Sequence, residues 1–266
     1  MKISGSLLEQ RKSVVTFDDG KRKIMLEVHN VSKWFGGNPV LRDITFTIGK
    51  GEVVGLIGPN GAGKTTVFNV ITGFFVTKTG HIKFNGKDIT RFKPETICTL
   101  GLCRTFQITK PFGNIPVLKN VMIGALSRER SIKRAKKKAE EVLDFVGMLD
   151  KKDLLGKNLT IADRKRLEIA RGLATSPQLF LLDEVMAGLN PNELEAMMQL
   201  IRNLVDSGIT LFVIEHIMKV IMNLSHRVIV LDHGEMICGG KPEDVACDAN
   251  VIKAYLGEEY VAAQSG

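Results

Sequence analysis

Residues 58–66, GPNGAGKTT, constrain this chain more than any other stretch. They satisfy the pattern G-x-x-x-x-G-K-[ST], in which glycines let backbone N–H groups converge on phosphate oxygens with no Cβ in the way. The flanks matter as much as the pattern. The apolar run over 52–57 reads as a short strand, and 66–72 as the first turns of a helix with Gly73 as its stop. Strand, Gly-rich loop and helix in that order predict an α/β fold in which the helix aims its positive end at the same anion. Lys64 is then expected to reach the β- and γ-phosphates of a nucleotide, and the Thr65 hydroxyl to coordinate Mg²⁺.

The rest of the chain is organised around that unit. Further strands are predicted at 25–28, 45–48, 81–84, 180–182, 210–214, 227–231 and 236–238, with Asn85-Gly86 and 232–235 as turns. Helical periodicity covers 117–126, 129–146, 162–173, 193–204 and 218–222. Strands alternate with helices, and a helical block falls between the phosphate loop and the strand at 180. The expected architecture is therefore an α/β core around the phosphate loop with an inserted helical lobe. The predicted division is an N-terminal extension over 1–24, a core with its β subdomain over 25–90 and 172–257, a helical subdomain over 91–171, and a tail over 258–266.

Composition narrows the class. In 266 residues, 44% are hydrophobic and 25% charged, as in an ordinary soluble protein, and the apolar runs are far shorter than the roughly 18 residues of a membrane span. Residues 1–25 are studded with charge and lack the apolar core of a secretory signal. The four cysteines fit neither a disulfide framework nor a paired CxxC metal site, so they are expected to be reduced. A net charge of +8 suits an anionic partner. The basic cluster over 128–138 reads as a solvated helix face, with acidic lipid headgroups as the alternative. No aromatic residues interleave with it to stack bases, so nucleic acid is not an expected partner.

Asp183 and Glu184 end the apolar strand LFLLDE, at the sheet edge where open α/β folds bind ligands. Asp183 can hold the magnesium through a water, and Glu184 is the candidate that orients or deprotonates an attacking water.

Taken in order, GPNGAGKTT, Phe106-Gln107, LTIADRKRLEIAR over 159–171, LLDE, AGLN over 187–190 and Glu215-His216 resemble the ATP-binding subunits of ABC transporters across residues 25–257. The stretches FGG at 35–37, RKRLEIARGLAT at 164–175 and AYLG at 254–257 are most similar to the ATPases of branched-chain amino acid importers. The resemblance implies a P-loop NTPase core with an antiparallel β subdomain and an inserted helical lobe, and ATP and Mg²⁺ as cofactors. Gly58, Asn60, Gly61, Ala62, Gly63, Lys64, Thr65 and Thr66 would cradle the phosphates, and Phe35, or else Trp34, would stack on adenine. Thr65, Gln107 and Asp183 would surround the metal. Glu184, His216 and Gln107 would be catalytic, with His216 bonding the γ-phosphate and Gln107 sensing metal and water.

The same resemblance implies two ATPase subunits packed head to tail, so that Thr160, Ile161 and Ala162 cover phosphates held by the other subunit. Here the chain departs from the family's common LSGGQ, carrying LTIAD instead. Asp163 would either face the phosphate and repel it, or turn away to pair with Arg164 or Lys165. Ile161 and Asp163 make a poorer cover than Gly and Gln, and a non-identical paralogue is therefore the expected partner subunit. Also implied are transmembrane permease subunits, docked near 107–118 on Ile108, Pro111, Phe112, Ile115, Val117 and Leu118, and indirectly an extracellular solute-binding protein. Such a motor would sit peripherally at the cytoplasmic face of the cell membrane. Another amino acid or an amide such as urea is the alternative cargo. A non-transport soluble ABC ATPase and a catalytically silent regulatory cassette are the remaining readings, the last opposed by Glu184.

Overall fold

The computed structural model describes residues 22–107 and 110–256; residues 1–21, Ile108, Thr109 and Gly257 with the 258–266 tail lie outside the described residues. A hairpin of β1 (Ile24–Phe35) and β2 (Asn38–Gly49) joins β4 (Thr79–Phe84) and β5 (Lys87–Asp88) in a four-stranded antiparallel sheet, ordered β2-β1-β4-β5. Both hairpin strands are far longer than the pieces at 25–28 and 45–48 that alternation predicts. The register shifts between Val28 and Val31, and Asn30 and Asp43 turn to φ 48°, so bulges break the period of two that a sequence reading depends on.

The second sheet has six strands in the order β10-β9-β3-β8-β7-β6. Its centre is β3 (Val53–Ile57), β7 (Leu179–Asp183) and β8 (Thr210–Ile214), parallel and buried along their whole length. That burial explains why they read as unbroken apolar runs. β6 (Leu102–Arg104) and β9 (Arg227–Asp232) flank them in parallel, and β10 (Glu235–Gly240) closes one edge antiparallel to β9.

Alternation across the central strands splits the core in two. Val54, Leu56, Leu179, Leu181, Phe212 and Ile214 face the antiparallel sheet and α1 (Lys64–Ile71). Val53, Ile57, Phe180, Leu182, Leu211 and Val213 share a cluster with α3 (Val117–Leu126), α4 (Ile132–Phe145), α5 (Ile161–Leu173) and α6 (Pro191–Asp206). The helical lobe is thus bonded to the sheet by continuous apolar packing. It is tight: a Cβ on Gly172 of α5 would lie 2.4 Å from the Phe180 ring.

Two local expectations are corrected. The helix predicted from 129 begins at Ile132, and Arg128 lies outside it, donating to the carbonyls of Thr175, Thr99 and Cys98 at 2.8, 2.6 and 3.2 Å. The exposed basic face is therefore Lys133, Arg134, Lys136 and Lys137. Val117, expected to offer apolar area to a partner, is fully buried because it starts the core-facing stripe of α3, while Phe112 is exposed. Neither α2 (Pro94–Leu100) nor β6 was expected from the sequence, being too short to show a period. α7 (Met218–Leu224), α8 (Pro242–Ala246) and α9 (Ala249–Leu256) complete the described residues. No helix among them is long and apolar enough to cross a membrane, and the four cysteines are free thiols.

Candidate active site

β3 delivers the chain into the phosphate loop, where backbone geometry enforces the glycines. Gly58 sits at φ 151°, and a Cβ there would meet the Leu231 carbonyl at 2.1 Å. Gly63, at φ 102°, is the N-cap of α1 and has no side-chain oxygen to occupy the helix's first N–H groups, which leaves them for an anion. Lys64 is buried, and its Nζ donates to the carbonyls of Gly58 at 2.6 Å and Pro59 at 2.9 Å, curled inside the loop. Burial lowers its pKa, and the charges of Glu184 and Asp183 act in the opposite sense. Thr65 and Thr66 follow, half-buried on the first turn.

At the end of β7, Asp183 is 1% exposed and Arg104 Nη2 donates to its Oδ2 at 2.9 Å. Its other oxygen, Oδ1, is buried without a hydrogen-bond partner among the described residues. Burial raises the Asp183 carboxyl to about 6 despite the guanidinium. A buried carboxylate oxygen left without a donor is the kind of group that a divalent cation or its water satisfies, so the residues present fit Mg²⁺.

Glu184 departs sharply from the strand. Its N–H continues the ladder to the Ile214 carbonyl at 2.9 Å, yet its φ is 51°, a left-handed conformation rare for a side chain of this size. The turn brings its carboxylate between two groups from elsewhere in the chain. Gln107 Nε2 donates to Oε2 at 2.7 Å, and His216 Nε2 lies 2.6 Å from Oε1, donating in the tautomer protonated there. The structure therefore joins Glu184, Gln107 and His216 in one cluster, although 77 residues separate the first two. The adjacent Glu215 is buried, accepts the Met186 N–H at 2.9 Å, and is pushed by burial to about 7.

Phe35 ends β1, 42% exposed, with its ring edge-on to Phe75 at 5.0 Å and the Lys33 ammonium 5.1 Å from the ring centroid. Trp34 is less exposed and lies under Lys78 at 4.8 Å. Phe35 is the freer of the two for stacking. Phe35→Ala is expected to weaken ATP binding by about 1 kcal/mol, measured by titrating a fluorescent ATP analogue; unchanged affinity transfers the role to Trp34.

Thr160, Ile161 and Ala162 open α5, and no hydrogen bond ties them to the phosphate loop among the described residues. Thr160 is the N-cap, accepting the Asp163 N–H at 3.2 Å, while Ile161 is 64% exposed. The expected pairing of Asp163 with Arg164 or Lys165 is corrected. Asp163 binds Lys151 Nζ at 2.7 Å, from the end of the 3₁₀ turn Leu149–Lys151. Arg164 donates to the Lys157 carbonyl instead, and Lys165 to the Glu184 carbonyl.

Two residues of the site, Arg104 and Glu168, went unnoticed in sequence, and Lys165 was expected only as a partner of Asp163. Arg104 had a legible signal, since an arginine inside the apolar LCRTF segment demands a buried acceptor. The two α5 residues had none, because a charged side chain on an amphipathic helix usually faces water.

A phosphate loop facing a sheet-edge Asp-Glu pair is the arrangement of a P-loop ATPase and implies hydrolysis of ATP with Mg²⁺. The sequence profile described as "ABC transporter" matches residues 41–187, and that described as "Branched-chain amino acid ATP-binding cassette transporter" matches residues 235–261. The high-affinity branched-chain amino acid transport ATP-binding protein LivG of Salmonella typhimurium is 34% identical over 250 residues, 88% of this chain and 98% of LivG. The ADP conformation of MJ1267, an ATP-binding cassette of an ABC transporter, superposes with a TM-score of 0.81 at 31% identity, covering 89% of this chain and 100% of that one. The dimeric post-hydrolysis state of the ATP-binding cassette MJ0796, bound to ADP and Pi, superposes with a TM-score of 0.75 at 25% identity, covering 82% and 99%. With the profile running from β2 through Glu184 and a relative aligned over 88% of its length, this chain belongs to the ATP-binding subunits of ABC transporters.

Proposed function

We propose that the chain is the ATP-hydrolysing motor of an importer for branched-chain amino acids, working peripherally at the cytoplasmic face of the membrane beneath separate permease subunits. The observation that carries the motor reading is the placement of Glu184 between Gln107 and His216 beside a phosphate loop. The cargo is supported by the profile over 235–261 and by the activity named for LivG.

In this reading Lys64 exchanges the carbonyls of Gly58 and Pro59 for phosphate oxygens, and the first N–H groups of α1 complete the cradle. Thr65 and the unpartnered Asp183 oxygen would hold Mg²⁺, with Gln107 beside them; the ion, when bound, neutralises charge on the β- and γ-phosphates. Glu184 orients water and accepts its proton, and His216 fixes that carboxylate and reaches the γ-phosphate. Phe35 stacks on the base.

A second ATPase subunit completes the site, a pairing supported by the dimeric form of MJ0796. Because Lys151 neutralises Asp163, the LTIAD segment presents the Thr160 hydroxyl and the N–H groups of Ile161 and Ala162 without an unbalanced negative charge. The bulky, exposed Ile161 favours a non-identical partner. Exposed Phe112, next to Pro111 and Ile115, offers the permease contact, and an extracellular solute-binding protein would deliver the cargo.

Proteoliposomes carrying the chain, its partner ATPase and their permeases, with the binding protein outside, test this reading. Uptake of leucine, isoleucine or valine is expected only with ATP inside, and Lys64→Ala should abolish it. Uptake of urea without leucine would overturn the assigned cargo, and ATP-independent uptake would overturn the motor.

A further inference from the structure

Two side chains of α5 reach from the helical lobe to the loops that bear Glu184 and Gln107. Lys165 Nζ donates to the backbone carbonyl of Glu184 at 2.9 Å. Glu168, one turn further on the same face of the helix, accepts the backbone N–H of Phe106, the residue before Gln107. A single turn of one helix therefore holds the backbone on both sides of the Gln107–Glu184 hydrogen bond.

The Lys165 contact falls where the backbone most needs support. Glu184 occupies the left-handed region, which an L-residue with a long side chain adopts only where its surroundings enforce it. That conformation takes its carbonyl out of the sheet ladder. Among the described residues, the only other donor to this oxygen is the Ala187 N–H, at a long 3.4 Å. Two residues on, the Met186 N–H is held by Glu215 at 2.9 Å. The turn is thus pinned by a cation on its carbonyl and a carboxylate on the Met186 amide. Charge points the same way: Lys165, whose pKa burial lowers, faces Glu215, Glu168 and Glu184, all of which favour its protonated form. A neutral residue at 165 would remove a cation that faces all three of these carboxylates.

We infer that Lys165 is a positioning residue for hydrolysis, holding Glu184 in the left-handed turn that presents its carboxylate to His216 and Gln107. It touches neither nucleotide nor water and acts through Glu184, so the inference rests on the reading of Glu184 as the residue that acts on water. With Glu168 gripping the Gln107 loop, α5 sets the relative position of the two loops.

Steady-state hydrolysis and nucleotide affinity of the full chain, parent against Lys165→Met, Lys165→Arg and Glu184→Gln, test it. Lys165→Met is expected to lower kcat about tenfold or more while ATP affinity stays within about twofold; Lys165→Arg, which keeps the cation and donor, should recover kcat to within about threefold of the parent. Lys165→Gln, whose shorter arm ends short of the carbonyl, serves if the Met variant does not fold, with kcat expected to fall about fivefold at unchanged affinity. Parental kcat in the Met or Gln variant overturns the inference. So does a loss of nucleotide affinity as large as the loss of kcat, which marks a merely structural contact, or an Arg variant as slow as Met. If Glu184→Gln is inactive while Lys165→Met turns over normally, only the positioning role fails; if Glu184→Gln hydrolyses at the parental rate, the reading of Glu184 itself fails.

Discussion

A Glu184→Gln protein is expected to bind ATP as tightly as the parent and to hydrolyse it at least about tenfold more slowly. The substitution separates chemistry from geometry. A glutamine at 184 can still accept from Gln107 and meet His216 through its own N–H, so the cluster around the side chain survives. What disappears is the negative charge that, in the proposed mechanism, takes a proton from water. Lys64 and the helix N-terminus, the groups proposed to hold phosphates in the ground state, are untouched. Bound ATP should therefore accumulate, and with it the nucleotide-bridged pair proposed to form with the second ATPase subunit. Light scattering with and without ATP reads the second consequence, and phosphate release the first. Hydrolysis at the parental rate would remove Glu184 from the reaction.

Arg104→Met should cost about 3–5 kcal/mol of stability, the range for breaking a buried ion pair from one side. The pair is nearly dry, with side chains 5% and 0% exposed and a separation of 2.9 Å. Burial dominates both partners, lowering the pKa of Arg104 and raising that of Asp183 to about 6 even with the guanidinium in place. Without Arg104 the carboxylate becomes an uncompensated buried charge. Arg104 also donates to Asn69 on α1 at 2.7 Å, so its loss loosens the phosphate-loop helix from the sheet.

The sign of the pH dependence follows from the direction of the Asp183 shift. The folded pKa lies above the unfolded one, so the folded state holds the proton more strongly and stability falls as pH rises through the interval between them. That interval runs from 3.8 to about 6 in the parent and reaches higher in the variant. Urea unfolding should accordingly show a larger loss at pH 8 than at pH 5, and Arg104→Met with Asp183→Asn should recover part of it. Equal stability of parent and single variant at pH 8 would show that the pair is not a structural charge pair.

Much of the fold was legible because it rests on local patterns. β3, β7 and β8 announce themselves as short apolar runs, since a strand covered on both faces has no polar face to alternate with. α3 and α5 lie within a residue or so of their predicted spans, since each carries a stripe at helical spacing and Thr160 caps α5. The Asp232–Glu235 turn and its hairpin into β10 are present as read. What resisted reading were elements without a period: the bulged β1–β2 hairpin, two-turn α2, three-residue β6, and α4, whose start gives way to Arg128 binding three carbonyls.

The sequence by itself determined the chemistry available at each point. Gly58 and Gly63 dictate a loop that only glycine can follow, Lys64 and Thr65 follow them inevitably on the first turn of α1, and Asp183 and Glu184 must emerge together at the end of a buried strand. Only the tertiary structure decided which charges meet. Asp163 chose Lys151 over its neighbours Arg164 and Lys165, Asp183 took Arg104, and Lys165 turned inward to the Glu184 carbonyl. The reason is physical. Backbone conformation is set by steric limits acting over a few residues, and those are written in local sequence. A buried charge instead takes whatever partner the packing of distant elements brings within about 3 Å, and no local period encodes that choice.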